Sequence, residues 1–349
     1  MMRAVCVEAP GRPCNLVIRT IPRPQPKDKE VLIQVYATAL NRADLLQRRG
    51  LYDPPEGESE IIGLEVAGTV HTLGPGVERD WKLGDRVMAL LAGGGYAEYV
   101  AVREELIMHV PPNLTVWQAA AIPEAWITAF QLLVFVAQVK EKEVVLINAG
   151  ASGVGTAAIQ LVRHLGAISM ISAGTMEKLV LAASLGASVG FNYKEENFTR
   201  ALKDFTGGRG VDVILDCIGG YNWEQNVNCL ATGGRWVVYG RLGGQIVEGD
   251  LFGKLLHKRG QLLCSLLRSR SIEYKAELVK AFSDRVLPFF SGKDPKLKPV
   301  IDSTFGLEDI SEAHCRMEAN KNMGKIVIYV VPQPVSEEEE DCEFYLGSL

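Results

Sequence analysis

In residues 143–267, short apolar runs alternate with longer amphipathic stretches of helical period. Three of the helical stretches end at Gly166, Gly186 and Gly207, as expected of glycine C-caps. This alternation predicts an α/β fold, a doubly wound open sheet of six parallel strands with helices on both faces. Near-continuous apolar strands fit a sheet that is covered on both sides. The six predicted strands are residues 144–148, 168–172, 188–191, 211–216, 235–240 and 261–267.

Residues 1–112 have a different pattern, because β-branched or alternating runs follow one another between clusters of Pro and Gly. These runs predict a small, barrel-like, β-rich domain that is interrupted by one helix at 42–50. Residues 113–137 have a helical pattern broken at Pro123, where we place a domain boundary. The runs that predict strands in this domain lie at 31–40, 64–74, 85–90 and 96–102.

The chain is therefore expected to form two domains and a tail. Residues 124–267 make up the domain with the parallel sheet. Residues 268–333 contain too few elements for a core of their own, so we expect them to pack back on the domain of residues 1–123. Residues 334–349 are strongly acidic and predict a disordered tail.

Composition and charge exclude several classes of function. The chain is 47% hydrophobic and 23% charged, as is typical of soluble globular proteins, and its net charge is −5. The last fourteen residues hold six acidic side chains, so the rest is close to neutral and nucleic acid is not an expected partner. Arg268 and Arg270 are interpreted as parts of a solvated turn.

The seven cysteines are scattered without a C-x-x-C pair, and the N-terminus does not have the pattern of a signal peptide. We expect that no stretch approaches the ~20 apolar residues of a membrane span. We therefore expect a cytoplasmic protein with reduced thiols and no membrane partner.

The segment EVVLINAGASGVG, residues 143–155, has the order of a strand, a glycine-spaced turn and a helix start. This order is required by a dinucleotide-binding unit, in which free N–H groups at the helix start meet a pyrophosphate. Ser152 stands where the second glycine of the G-x-G-x-x-G pattern is expected. We predict that Ser152 donates a hydroxyl near the pyrophosphate and that Gly153 and Val154 also bind the cofactor.

The next predicted strand indicates which nicotinamide cofactor is used. NAD-binding proteins place Asp or Glu at the end of this strand to bind the ribose 2′-hydroxyl. Here the strand runs into Gly174 and Thr175, and Lys178 follows on the next helix. The absence of a carboxylate and the presence of an ammonium group favour the 2′-phosphate of NADPH. The alternative is that Lys178 is only a solvated helix residue.

Several motifs, in the correct order, resemble those of the medium-chain dehydrogenases/reductases. They are IIGLEVAG (61–68), WKLGDRV (81–87), GGGYAEY (93–99), AAAIPEAWITAF (119–130) and AGASGVGTAAIQL (149–161). Within that superfamily the chain is similar to the zinc-free NADPH:quinone oxidoreductases, through ALNRADLLQRRGLYDPP, NYKEENF and EANKNMGKIV. The resemblance implies a GroES-like barrel domain, a Rossmann domain that binds NADPH, and a homodimer formed through the cofactor domains.

The resemblance also allows a zinc site to be assessed. Zinc-dependent relatives hold the catalytic metal with a Cys and a His at the places of Asn41 and Leu64, and with a later Cys that is missing from residues 113–135. The cysteines that bind structural zinc are missing too, since no Cys lies between residues 15 and 216. Asparagine and leucine do not replace thiolate and imidazole as zinc ligands. We therefore predict no metal site.

Asn41 and Tyr52 are implied by the resemblance to position the substrate beside the nicotinamide. The alternative is that Asn41 is a turn residue and Tyr52 a surface residue. Gly240 and Leu267 close predicted strands near the expected nicotinamide. Further cofactor contacts are implied by the resemblance for Thr128, Tyr193 and Asn322.

The expected activity is metal-free hydride transfer from NADPH to a quinone, whose conjugated acceptor needs no metal to stabilise the product anion. Two alternatives stay open. The same hydride could reduce an enoyl thioester or another activated alkene. The protein could also be an NADPH-binding structural or RNA-interacting protein with little catalysis.

Overall fold

The computed structural model describes residues 1–195 and 198–330, so the predicted acidic tail lies outside the described residues. The first part of the chain is rich in strands, as predicted. Its strands are β1 (Met2–Val7), β2 (Leu16–Ile21), β3 (Glu30–Ala39), β4 (Glu65–Leu73), β5 (Arg86–Leu90), β6 (Tyr99–Arg103) and β7 (Ile107–His109). Its α-helices are α1 (Arg42–Arg48) and α2 (Val116–Ala119).

Strand β3 is the centre of this domain, because it pairs antiparallel with both β4 and β6. The sheet continues from β4 through β5 to β7, while β1 and β2 form a separate antiparallel pair. Val31, Ile33 and Val35 alternate along β3 and are fully buried, which anchors the register. The predicted GroES-like sheet domain is confirmed.

The second domain alternates strands and helices around an all-parallel sheet. The strand order β10-β9-β8-β11-β12-β13 reverses between β8 and β11, and the carboxyl ends at this reversal form a crevice. The predicted six-stranded parallel sheet is confirmed. Its strands are β8 (Val144–Asn148), β9 (Ile168–Ala173), β10 (Val189–Asn192), β11 (Val211–Asp216), β12 (Leu230–Val238) and β13 (Gln261–Cys264). Its helices are α3 (Pro123–Phe130), α4 (Gly153–His164), α5 (Met176–Ser184), α6 (Phe198–Phe205), α7 (Trp223–Cys229) and α8 (Leu251–Lys258).

Helix α3 links the two domains. Pro123 is its first residue, a position where the missing N–H costs nothing, and a π-helical turn over Gln131–Val136 follows α3. The helical run Val116–Val136 is 21 residues long and is apolar enough to cross a membrane by length and composition. The expectation that no segment reaches this length was therefore wrong. The most apolar window of this run is 78% buried inside the protein, as in a core helix.

After β13 the chain returns to the first domain through α9 (Ile272–Arg285), β14 (Ile301–Gly306), α10 (Ile310–Glu318) and β15 (Lys325–Tyr329). Strand β15 pairs antiparallel with β3, and β14 adds to β15 in parallel. The loop before β15 also touches the second domain, where Gly324 N donates to Ala151 O at 2.8 Å. This return segment therefore contacts both domains at the crevice.

Candidate active site

The glycine-spaced turn after β8 is closely packed. A Cβ on Gly150 would lie 2.5 Å from Ile171 Cβ, and one on Gly155 would lie 2.5 Å from Ala149 O, so glycine is required at both places. Ser152 caps α4, because its Oγ accepts the N–H of Gly155 at 3.0 Å. The hydroxyl hydrogen of Ser152 is then free to donate, and its contact with a pyrophosphate stays a prediction.

The return segment lies directly against this turn. A Cβ on Gly153 would approach Lys325 Cδ to 2.6 Å, so the turn and the start of β15 are in contact. Asn322, predicted as a cofactor contact, is buried, and its Nδ2 donates to Gly324 O at 3.0 Å. Asn322 is thus placed behind the turn, where its amide supports the backbone of the return loop.

Lys325 and Glu65 form a buried ion pair beside Asn41 and Leu64, the two residues that the resemblance places where zinc ligands would stand. The ammonium of Lys325 donates to Leu40 O at 2.6 Å and to Asn41 Oδ1 at 2.7 Å, and its Nζ forms an ion pair with Glu65 Oε1 at 2.7 Å. Glu65 also accepts the backbone N–H of Glu124 at 2.8 Å. The ammonium therefore has three oxygen atoms around it inside the protein.

Asn41 is part of this ion-pair cluster. Its Nδ2 donates to Glu65 Oε1 at 2.9 Å and to Ala39 O at 3.2 Å, which uses both amide hydrogens. Its Oδ1 accepts from Lys325. In this arrangement Asn41 holds the ion pair together and has no amide hydrogen left for a substrate, so its predicted role in substrate binding would require one of these bonds to open.

The residues at this place do not fit a zinc ion. Leu64 is a buried hydrocarbon, Asn41 is a neutral amide, and the one carboxylate, Glu65, is already neutralised by an ammonium. Zinc in proteins needs thiolate, imidazole or carboxylate ligands that are free to bind it. Over residues 1–195 and 198–330, no group of three or more His, Cys, Asp or Glu side chains could hold a metal ion.

Two further carboxyl groups border the cluster. Burial raises the pKa of Asp44 to about 6, against the opposing effect of the Asn41 N–H, which donates to Asp44 Oδ2 at 2.7 Å. Burial, and next the neighbouring Glu65 carboxylate, raises the pKa of Glu124 to about 8. Glu124 is therefore mainly protonated at neutral pH, and it adds little negative charge to the crevice.

Arg268 lies in the crevice, which contradicts its interpretation as part of a solvated turn. Its side chain is 4% exposed, Nε donates to Ala92 O at 2.7 Å, and Nη2 donates to Gln47 Oε1 at 2.8 Å. The third nitrogen, Nη1, is buried and has no hydrogen-bond partner. These contacts come from segments far away in the sequence, which is why local composition was misleading. Arg270 is exposed, as predicted.

Tyr52 is next to this cation, because the Arg268 Cζ atom lies 5.2 Å from the centre of the Tyr52 ring. Burial raises the pKa of the half-buried Tyr52, while the positive charge of Arg268 acts in the opposite direction. Leu267, predicted near the nicotinamide, is buried directly before Arg268. The structure therefore brings Tyr52, Leu267 and Arg268 together at one end of the crevice.

The predicted 2′-phosphate residues meet at the other end. Thr175 caps α5, with Oγ1 accepting the N–H of Lys178 at 3.4 Å. A Cβ on Gly174 would lie 2.8 Å from the Tyr193 hydroxyl oxygen, so this hydroxyl lies against the end of β9. Lys178 Nζ donates to Asn320 O at 2.6 Å and has no carboxylate partner in the described part of the chain. The structure brings these four predicted residues together.

Comparisons with known proteins agree with this architecture. Residues 27–112 match the family model of the alcohol dehydrogenase GroES-like domain, and residues 153–284 match that of the zinc-binding dehydrogenases. Human quinone oxidoreductase is 33% identical over 317 residues, which cover 90% of this chain and 93% of that protein. The chain belongs to the quinone oxidoreductases of the medium-chain dehydrogenase/reductase superfamily. As a member, it is an oxidoreductase of a family that binds nicotinamide cofactors.

Two solved structures show what this oxidoreductase resembles in three dimensions. A mycobacterial protein solved in complex with NADPH is 30% identical, has a TM-score of 0.79, and matches 95% of this chain and 100% of its own. The CurK enoyl reductase is 26% identical, has a TM-score of 0.83, and matches 94% of this chain and 99% of its own.

Two predicted cofactor contacts, Thr128 and Gly240, flank the crevice. They belong neither to the group around Arg268 nor to the group around Gly174. Thr128 is half-buried on α3, and Gly240 follows the end of β12. A Cβ on Gly240 would lie 3.0 Å from Cys217 O, so glycine allows a close approach of two backbones there. Cofactor contacts of Thr128 and Gly240 stay predictions. Burial raises the pKa of Cys217 to about 12, so this thiol is protonated and unreactive.

Proposed function

We propose that this protein is a zinc-independent NADPH:quinone oxidoreductase that transfers hydride from NADPH to a quinone. The observation that carries the proposal is the buried Arg268, whose Nη1 has no partner and whose guanidinium faces Tyr52. A buried cation without a counter-ion is costly unless a ligand or reacting group supplies negative charge.

Hydride transfer to a quinone supplies this charge. The hydride adds to the conjugated acceptor, and one carbonyl oxygen becomes a hydroquinone oxyanion, which then takes a proton. A fixed cation aimed at that oxygen stabilises the transition state more than the neutral substrate. Within the described residues no carboxylate lies in ion-pair contact with Arg268, and the carboxyl groups of Asp44, Glu124 and Glu58 act on its charge only from farther away. Binding and orientation of the nicotinamide supply the rest of the rate enhancement.

The choice of NADPH is supported by the end of β9. No carboxylate is present there to bind a ribose 2′-hydroxyl, while Lys178, Thr175 and the Tyr193 hydroxyl lie close to Gly174. An ammonium without a carboxylate partner favours the phosphorylated ribose.

Reduction of an activated alkene is the second candidate, and the structural similarity to the CurK enoyl reductase favours it. An enolate oxygen would develop the same negative charge near Arg268. The two candidates are separated by measuring kcat/KM for ortho- and para-quinones and for an enoyl-CoA, each with NADPH and NADH. We expect the highest value for a quinone with NADPH, and a higher value for the enoyl-CoA would replace the proposal by the second candidate.

We further propose a homodimer formed through the outer side of the second domain. Strand β13 is an edge of the parallel sheet, and an exposed edge strand readily pairs with another chain. Phe252 and Leu256 on the adjacent helix α8 are 82% and 80% exposed, and Leu262 on β13 is 40% exposed. Large apolar side chains exposed on neighbouring elements are typical of a protein interface.

The variant Phe252→Asp/Leu262→Asp tests the dimer. Two carboxylates in an apolar interface have no partner there, so we expect the variant to be monomeric and the unaltered protein to be dimeric. The measurement is molar mass by size-exclusion chromatography with light scattering. Leu83→Asp is the control, because Leu83 is 69% exposed on the first domain. A variant that stays dimeric, or an unaltered protein that is monomeric, would contradict the proposed interface.

A further inference from the structure

Three cationic side chains lie close together around Lys178, and one of them comes from the opposite domain. Lys178 lies on α5 and Lys194 follows β10, whereas Arg42 is the first residue of α1 in the first domain. Arg42 Nη2 donates to Asn320 Oδ1 at 2.5 Å, and Lys178 Nζ donates to Asn320 O at 2.6 Å. Asn320 therefore holds the cations of both domains side by side across the crevice.

None of the three cations has an ion-pair partner within residues 1–195 and 198–330. Lys194 belongs to the same cluster, because its Cε would lie 3.2 Å from a Cβ on Gly174. Burial, and then the charges of Arg42 and Lys194, lower the pKa of Lys178. Like charges are thus held together without an ion-pair partner among the described residues, an arrangement that becomes more favourable when an anion binds.

We propose that Arg42 binds the 2′-phosphate of the cofactor together with Lys178, so that this phosphate is held from both domains. The inference rests on the NADPH part of the proposed function and adds a specificity-determining residue to it. Arg42 has N–H groups beyond the one given to Asn320, and a guanidinium can bind a phosphate through two parallel hydrogen bonds. A phosphate monoester with two negative charges suits a site with three positive charges.

A bond between Arg42 and the 2′-phosphate would also link the cofactor to the Lys325–Glu65 ion pair. Arg42 directly follows Asn41, the N-cap of α1, and Asn41 holds the Lys325–Glu65 pair. A phosphate bound to Arg42 would therefore connect the cofactor to helix α1, whose N-cap Asn41 contacts the Lys325–Glu65 pair. NAD(H), which lacks the 2′-phosphate, cannot make this connection.

Binding of two nucleotide fragments tests the role of Arg42 without any turnover. The Kd values of 2′,5′-ADP and 5′-ADP are measured by calorimetry for the unaltered protein, Arg42→Gln and Lys178→Gln. We expect Arg42→Gln to raise the Kd of 2′,5′-ADP about tenfold and to leave that of 5′-ADP unchanged. Arg49→Gln is the matched control, since it removes the same charge from the end of the same helix and Arg49 instead pairs with Glu318. It should change neither Kd.

The outcomes separate this inference from the proposed use of NADPH. If the unaltered protein binds 2′,5′-ADP no better than 5′-ADP, the NADPH proposal fails, and the role of Arg42 fails with it. If the unaltered protein prefers 2′,5′-ADP and Lys178→Gln loses that preference while Arg42→Gln keeps it, only the role of Arg42 is wrong. An equal rise of both Kd values in Arg42→Gln would indicate a general structural defect and would also overturn the inference.

Discussion

Arg268→Gln is expected to lower kcat/KM for a quinone by about 10²- to 10³-fold, the usual effect of removing one stabiliser of a developing oxyanion. The glutamine is neutral, so the charge facing Tyr52 is lost when negative charge grows on the acceptor oxygen. The Kd of NADPH should stay within about threefold of its original value, because the loss is confined to the transition state. Steady-state kinetics and fluorescence titration with NADPH measure the two quantities.

Two variants distinguish this effect from a loss of structure. Arg268 also bonds to Ala92 and Gln47, so the thermal midpoint of Arg268→Gln must be measured alongside the kinetics. Arg268→Lys keeps the charge and should recover part of the rate. Arg270→Gln removes the same charge from an exposed neighbour and should have no effect. Full activity of Arg268→Gln would remove the main support for the proposed acceptor chemistry.

Lys325→Met is expected to lower the free energy of unfolding by about 3–5 kcal/mol, because Glu65 is left as a buried, unpaired carboxylate. Lys325 and Glu65 are 4% and 0% exposed, so water does not replace the lost partner. The Asn41 and Leu40 oxygens lose a donor at the same time. Urea unfolding followed by circular dichroism measures the change.

The double variant Lys325→Met/Glu65→Gln is the control for the buried charge. It removes the unpaired carboxylate, so it should be more stable than Lys325→Met alone. Lys321→Met removes an exposed lysine from the same loop and should leave stability nearly unchanged. The role assigned to the ion pair is wrong if Lys325→Met is as stable as Lys321→Met, or if the double variant is no more stable than the single one.

The sequence predicted the elements that have strong local signals. All six strands of the parallel sheet could be found, because each is a short apolar run beside an amphipathic stretch of helical period, and three of those stretches end at a glycine. Strands β1, β2, β7 and β14 were not singled out. Residues 301–306, IDSTFG, have no continuous apolar face, and β14 forms only because β15 offers it a partner edge.

The sequence predicted those residues of the candidate site that lie close together in the chain, but it did not predict contacts between distant residues. Gly174, Thr175, Lys178 and Tyr193 lie close in sequence, at the end of β9 and just after β10, and the structure brings them together. The Lys325–Glu65 pair joins residues far apart in the chain, and no local pattern connects them. One signal was available, since Glu65 is a single charge within the apolar segment IIGLEVAG. Arg268 gave no such signal, because its burial depends on two distant segments.

The reaction proposed for this protein is hydride transfer from NADPH to a quinone without a metal. The most direct measurement is the rate of NADPH oxidation by an ortho-quinone after prolonged dialysis against a chelator, with the zinc content of the same sample determined by mass spectrometry. For the proposed metal-free reaction we expect the same rate before and after dialysis, at a zinc content far below one ion per chain. A rate that falls with the zinc content and returns when zinc is restored would contradict it, and so would the absence of NADPH oxidation with every quinone tested.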